Sequence, residues 1–230
     1  MRNVTRLVAI DTSTSYASVA LFEDEHLEFA QAWRSDSNHT QTLLPALERA
    51  QQQLGWPLES VDVVGVAIGP GAFSGIRVGL ATAKAFSWAR QIPLLAIGSL
   101  AARAMIFQGL GRILSAIPAG RGEWYVALFD RSWSELQTIE GPSIVGEQAL
   151  LTLVSSNPAC ILEIDHWPRT WPLYGATFIT GSHSGYVTAV GIGKLALIRY
   201  RSGERDEPAL LQAYYLRQSA AEERRSSNGG

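Results

Sequence analysis

Leu7-Val8-Ala9-Ile10-Asp11-Thr12-Ser13-Thr14-Ser15-Tyr16-Ala17-Ser18-Val19-Ala20-Leu21-Phe22 decides the fold. The apolar run that ends at Asp11 reads as a buried strand. The hydroxyl-rich Thr12-Ser13-Thr14-Ser15 turns the chain, and residues 16–22 alternate well enough to form a second strand. The acidic turn Glu23-Asp24-Glu25 then separates a third strand at residues 27–33. Three strands joined by tight turns make a meander. A dinucleotide-binding fold would instead place a glycine-rich turn and a helix directly after the first strand.

Working outward, Leu43, Leu47, Ala50 and Leu54 recur at spacings of three and four, which predicts a helix over about 40–54, stopped by Gly55 and Pro57. Residues 61–68 are nearly continuous in Val, Ala and Ile, the pattern of a strand covered on both faces. They run into Gly69-Pro70-Gly71-Ala72-Phe73-Ser74-Gly75 and a helix over about 76–90 rich in small residues. A short strand at 93–97 follows, and Ser99 caps an alanine-rich helix reaching Phe107. Gly109 and Gly111 then mark a boundary. A second round repeats the order more weakly: strands at 113–117, 124–129 and 135–139, a helix at 146–154, a strand at 160–164 and a helix at 187–200. Residues 165–186 break every period, 203–207 form a charged turn, and 222–230 are polar and read as disordered. This internal duplication predicts an α/β fold of tandem actin-like (ribonuclease-H-like) domains, mixed sheets flanked by helices. The first unit spans 1–108 and a smaller, degenerate second unit spans 109–207, with 208–230 as C-terminal segment and tail.

Composition excludes several function classes. Nineteen Lys and Arg against 21 Asp and Glu give a formal net charge of -2, far from the positive field that autonomous nucleic-acid binding needs. The single cysteine, Cys160, permits no intrachain disulfide and sits in an apolar run as a structural thiol. No window approaches 18 uninterrupted apolar residues and no secretion signal opens the chain, so a cytoplasmic protein is expected. With 47% hydrophobic and only 17% charged residues, a partner-covered face and a well-filled core are both compatible readings.

The residues that could carry chemistry are few. Asp11, at the end of the first strand and followed by Thr12 and Ser13, could hold a hydrated metal while turn amides receive phosphate; it could equally cap a turn. Gly69, Gly71, Ser74 and Gly75 expose amides at a strand-to-helix transition, and serve either a ligand loop or close helix packing. The loop is no phosphate-binding P-loop, because Ile76-Arg77 follows where Lys-Ser/Thr would be required. His26, His39, His166 and His183 do not cluster, and Gly181-Ser182-His183-Ser184-Gly185 does not fit a nucleophile elbow. From the residues alone, no catalytic group and no metal site is assigned.

Taken together, the segment 7–13, His39-Thr40-Gln41-Thr42-Leu43-Leu44-Pro45, the loop 69–75 with Ile76-Arg77-Val78-Gly79-Leu80, Arg121-Gly122-Glu123-Trp124-Tyr125 and Tyr215-Leu216-Arg217 resemble the TsaB/YeaZ family. These are the bacterial dimerisation subunits of the tRNA threonylcarbamoyladenosine synthesis complex. The resemblance implies a non-catalytic scaffold. It would bind and activate a metal-dependent catalytic threonylcarbamoyltransferase subunit, be joined by an ATPase subunit, and meet tRNA only through the complex. It would pair with itself when alone. ATP and Mg would act at the level of the complex, with no cofactor held tightly here. The transfer modifies adenosine 37 of tRNAs reading codons that begin with adenine. The related catalytic subunit carries paired metal-binding histidines on a helix; here that helix offers only His39, with Gln41 where the family commonly has glutamate. Ile117-Pro118-Ala119-Gly120 stands where the family has an Asp-Ala-Arg pattern. The family's helical interface maps to Leu43, Leu47, Arg77, Leu80, Ala81 and Lys84. The rival is a stand-alone actin-like ATPase or kinase working through Asp11 and the 69–75 loop.

Overall fold

The computed structural model describes residues 4–35, 38–107, 111–132, 135–157, 161–164, 177–180 and 187–217. Its first sheet is built from β1 (Arg6–Asp11), β2 (Tyr16–Glu23), β3 (His26–Arg34), β4 (Val63–Gly69) and β5 (Leu94–Gly98), in the order β3-β2-β1-β4-β5. The meander is antiparallel, whereas β4 and β5 join parallel to β1. A second sheet of β6 (Gly111–Gly120), β7 (Glu123–Arg131), β8 (Leu136–Gly146), β9 (Ile161–Ile164) and β10 (Thr177–Thr180) has the order β10-β9-β6-β7-β8. Strand for strand this repeats the first sheet, with β6–β7–β8 as the meander and β9 and β10 parallel. The duplicated mixed sheet is the tandem actin-like architecture expected from the sequence. The strand β10 lies in the stretch where the sequence showed no period.

Period-two alternation puts Leu7 and Ala9 of β1 on one face of the first sheet and Val8 and Ile10 on the other. Both faces are covered at β1 and β4, which is why these two strands read as nearly continuous apolar runs. On one face lie the helices α1 (His39–Leu54) and α2 (Phe73–Arg90). The other face carries α5 (Thr188–Arg201), whose Ala189, Ile192 and Ala196 join Phe22, Val63 and Leu95 in one core cluster. Glycines set the depth of this packing: a Cβ at Gly65 of β4 would meet Ala196 Cβ at 2.9 Å. A cut at residue 108 would leave α5 in the second unit, yet the helix covers the first sheet. The helix α3 (Ser99–Ile106) packs against α5 and against the second sheet through Leu100 and Ala104, while α4 (Glu147–Ser156) closes the opposite face of that sheet. Ser99 is the first residue of α3 rather than its cap; Gly98 holds the cap position without a side-chain bond.

After α5 the chain returns along the first sheet. Asp206 bridges to Leu94 and its carboxylate accepts from Ala96 N (2.7 Å) and from Arg199. The charged turn thus acts as a latch. Residues 211–217 continue as a strap across α2: Lys84 Nζ donates to Leu211 O (2.6 Å), Tyr214 N donates to Ile68 O (2.7 Å), and Tyr215 stacks on Phe73 with ring centroids 4.3 Å apart. Arg217 completes the strap by pairing with Glu123 of the second sheet. No helix among the described residues is long and apolar enough to cross a membrane. The expectations for Cys160, His166, His183 and the tail from 222 fall outside the described residues.

Candidate functional site

Two places converge on α2, one at its start and one along its side. At its start, the 69–75 loop packs directly on the β1–β2 turn. Ala72 N donates to Ser13 O (2.6 Å), and Thr12 Oγ1 donates to Gly75 O (2.7 Å). A Cβ at Gly71 would run into Ser13 O, one at Gly75 into Thr12 O, and one at Gly79 into Thr12 Oγ1, all inside the closest separation real Cβ atoms show. The two glycines of α2 are thus explained by close approach of the turn, Gly75 to its backbone and Gly79 to the Thr12 side chain. Gly69 has φ of 115°, open to glycine alone, and a Cβ there would also crowd Tyr214 O. Ser74 is exposed on the first turn of the helix.

Beneath this contact lies a buried polar cluster. Asp11, Thr12 and Ser13 are each 1% exposed. Asp11 Oδ1 accepts Ser13 N (2.8 Å), and burial pushes its carboxyl above the ordinary range, opposed by bonds from Ser13, the charge of Arg103 and a bond from Thr188. Arg103 is itself only 3% exposed, on α3. His39, the first residue of α1, is buried against Gly75; burial pushes its imidazole below the ordinary value, and the negative charge of Asp11 works in the other direction.

A nucleotide held with a divalent cation, one of the two readings of Asp11 from the sequence, would require open carboxylate oxygens here. Asp11 offers none: it is enclosed, bonded to an amide and faced by a guanidinium. Among the described residues no group of three or more His, Cys, Asp or Glu converges on a metal position. These residues do not fit the cation. Arg103 and Thr188 escaped the sequence reading, although an arginine inside the apolar stretch Leu100-Ala101-Ala102-Arg103-Ala104 signals a buried partner.

Along its side, α2 forms an apolar groove of about 550 Å³ with α1. Leu44, Leu47, Ala81, Ala85, Phe86 and Ala89 line it. Leu44 is 55% exposed, and Trp88 further along α2 is 77% exposed. Of the residues expected on this face, Leu47 and Ala81 line the groove. Leu43 and Leu80 are instead buried in the core, because they are the inward members of their helical stripes. Arg77 and Lys84 point to the strap: Arg77 lies 3.9 Å over the Phe73 ring and donates to Tyr215 Oη (3.0 Å), and Lys84 holds Leu211.

Residues 34–174, more than half of the chain, match the family model described as tRNA N6-adenosine threonylcarbamoyltransferase (TsaD). The tRNA threonylcarbamoyladenosine biosynthesis protein TsaB of Escherichia coli K12 is 31% identical over 62% of this chain and 65% of its own length. The protein of the same name from Haemophilus influenzae is 28% identical over 94% of this chain and 95% of its own. Among solved structures, YeaZ from Pseudomonas aeruginosa superposes with a TM-score of 0.75 at 25% identity, covering 91% of this chain and 99% of the other.

Proposed function

The chain belongs to the threonylcarbamoyltransferase family that this model describes and, through its relatives along most of its length, to the TsaB/YeaZ members of it; on that premise we propose that it is a non-catalytic subunit in the biosynthesis of tRNA threonylcarbamoyladenosine. It binds the metal-dependent catalytic subunit through the α1–α2 face. An ATPase subunit joins that assembly, ATP and Mg act at the level of the complex, and tRNA is reached only through it. In the absence of the catalytic subunit, two copies pair through the same face.

The observation that carries this reading is the groove between α1 and α2. An apolar furrow between two helices accepts the ridge of a partner helix. Covering the exposed half of Leu44 contributes roughly 1–1.5 kcal/mol before the costs of association, and an exposed tryptophan such as Trp88 is the residue type that most often anchors an interface. The non-catalytic assignment rests on residues present. The four histidines at 26, 39, 166 and 183 contain no pair four apart on a helix, and Asp11 is enclosed with Arg103. A stand-alone ATPase would need that carboxylate open.

The test is threonylcarbamoyl transfer to unmodified tRNA by the matching catalytic and ATPase subunits, with this protein added or omitted, beside ATP hydrolysis by this protein alone. Activity that appears only on addition, with no hydrolysis alone, is the expected result. Full activity without it, or nucleotide turnover by it alone, overturns the proposal. Ala81→Asp sharpens the test, because Ala81 is exposed and lines the groove. A charge there is expected to weaken binding of the catalytic subunit by about tenfold or more while changing the chain's own stability by at most about 0.5 kcal/mol.

A further inference from the structure

We propose that Glu48 selects the occupant of the α1–α2 groove: it admits a partner helix that carries a lysine or arginine on its apolar ridge, and it disfavours a second copy of this chain. The inference rests on the reading above that the catalytic subunit docks on this face, and adds the chemistry by which that subunit is told apart from a copy. Among the described residues that line the groove, Glu48 alone is charged. Gln51 and Thr82 are the other polar members, and the Thr82 hydroxyl is committed to Val78 O (2.9 Å). Glu48 is exposed and makes no hydrogen bond or ion pair among the described residues. Its own helix offers no counter-ion: one turn away on either side stand Leu44, Pro45, Gln51 and Gln52, where a lysine or arginine would pair with it. Arg49 is turned about 100° around the helix from Glu48 and does not line the groove. On α2, Arg77 lies over Phe73 and Lys84 donates to Leu211 O, both towards the strap.

While the groove is open, water solvates this carboxylate. A helix that fills the groove expels the water, and an ionised carboxylate left there without a counter-charge is strongly disfavoured. A wholly apolar ridge is therefore a poor occupant. A ridge that sets a guanidinium or ammonium group against Glu48 converts the penalty into a charge-assisted hydrogen bond, which also fixes the register of the docked helix. A second copy brings no such group. Two-fold pairing through one face presents the same patch from both sides, so the joined lining holds two carboxylates and no cation. Discrimination by a charge left unpaired against the wrong partner is a recurring device of specific interfaces. The apolar walls thus attract any amphipathic helix, and Glu48 sets the preference among them.

The test compares the full chain with its Glu48→Gln and Glu48→Lys variants, in calorimetric titration against the matching catalytic subunit and in sedimentation equilibrium for self-pairing. Glu48→Gln keeps the shape of the side chain and removes the charge. It is expected to weaken binding of the catalytic subunit about tenfold and to tighten self-pairing several-fold, with an unchanged urea midpoint. Glu48→Lys sets like charges against each other and is expected to weaken binding of the catalytic subunit further. Raising the salt concentration is expected to weaken binding by the parent chain more than by Glu48→Gln. The opposite signs for the two partners are what a merely structural role would not produce. Unchanged binding of the catalytic subunit by Glu48→Gln, or equal weakening of both associations, overturns the inference. Ala81→Asp, run beside it, separates the two levels. If Ala81→Asp weakens binding and Glu48→Gln does not, the groove is the interface and the role of Glu48 falls alone; if neither weakens it, the docking reading falls as well.

Discussion

The β1–β2 turn and the β6–β7 turn occupy equivalent positions in the two sheets, and they are built on opposite principles. In the first, Thr12 and Ser13 are 1% exposed and the glycines lie across the contact, at Gly71 and Gly75, where a Cβ would strike the turn's backbone. In the second, Gly120, Arg121 and Gly122 are exposed, and nothing lies within 4 Å of a Cβ added at either glycine. There the glycines serve backbone shape alone. Arg121 and Gly122, with φ of 56° and 73°, form a two-residue hairpin loop of the kind that requires positive φ at both positions. Duplication has kept the path of the chain and changed what holds it in place. A glycine-rich turn can mark a contact or a conformation, and the two tolerate substitution differently.

The strongest way to break this contrast is Gly75→Ala. The added methyl would overlap Thr12 O, so either α2 lifts away and the Thr12 Oγ1–Gly75 O bond of 2.7 Å is lost, or the end of β1 shifts. Both routes disturb the buried cluster around Asp11. A loss of about 3 kcal/mol is expected, at the upper end for overpacking, read from the urea midpoint of unfolding. A midpoint equal to that of the parent chain would mean that α2 is not fixed against the turn.

The same contrast shows what sequence can and cannot reveal. The strands β1 and β4 were legible because both faces are covered and their residues run apolar almost without a break, and β2 by its alternation; α1 was legible because Leu43, Leu47, Ala50 and Leu54 keep helical spacing. The glycine loop stood out, but its purpose did not, since composition cannot separate a ligand loop from a helix packed onto a backbone. Only the Thr12 and Ser13 contacts decide that. Helices α1 and α2 were legible as helices, and of the residues expected on their outer face Leu43 and Leu80 point inward, because each helix packs its most regular apolar stripe on the sheet. That leaves Leu44, Ala85 and Trp88, which lie off that stripe, facing outward. The crossing of α5 to the first sheet depends on pairings far apart in sequence, such as Gly65 with Ala196, and no local pattern announces it.

Gly122→Ala is the matching change in the second turn. With open space around the position, its only cost is the left-handed backbone at φ 73°, roughly 1–2 kcal/mol for a residue with a Cβ. Gly122→Asn, whose side chain tolerates this region, is expected to recover most of the loss. Equal losses for alanine and asparagine would show that something other than dihedral preference holds this glycine, and the two turns would be less different than their surroundings suggest.

The smallest expected effect concerns pH, and it follows from the cluster beneath the first turn. Burial holds the folded His39 imidazole below its ordinary value of 6.5, so below that pH the unfolded chain binds the proton more readily than the folded one. Its contribution to stability is complete above 6.5 and is lost as pH falls from there through the folded value. Asp11 works with the opposite sign. Burial raises its carboxyl above 3.8, the folded chain holds that proton more tightly, and stability from this group grows as pH falls through the raised value. His39 therefore governs the window just below 6.5, with a slope that cannot exceed about 1.4 kcal/mol per pH unit for one proton and is smaller for a partial shift. Urea midpoints measured between neutral and mildly acidic pH are expected to fall for the parent chain and to fall less for His39→Gln, which keeps a polar side chain of similar length. Parallel curves for the two proteins would place the acid sensitivity elsewhere and remove His39 from the account of what the first turn buries.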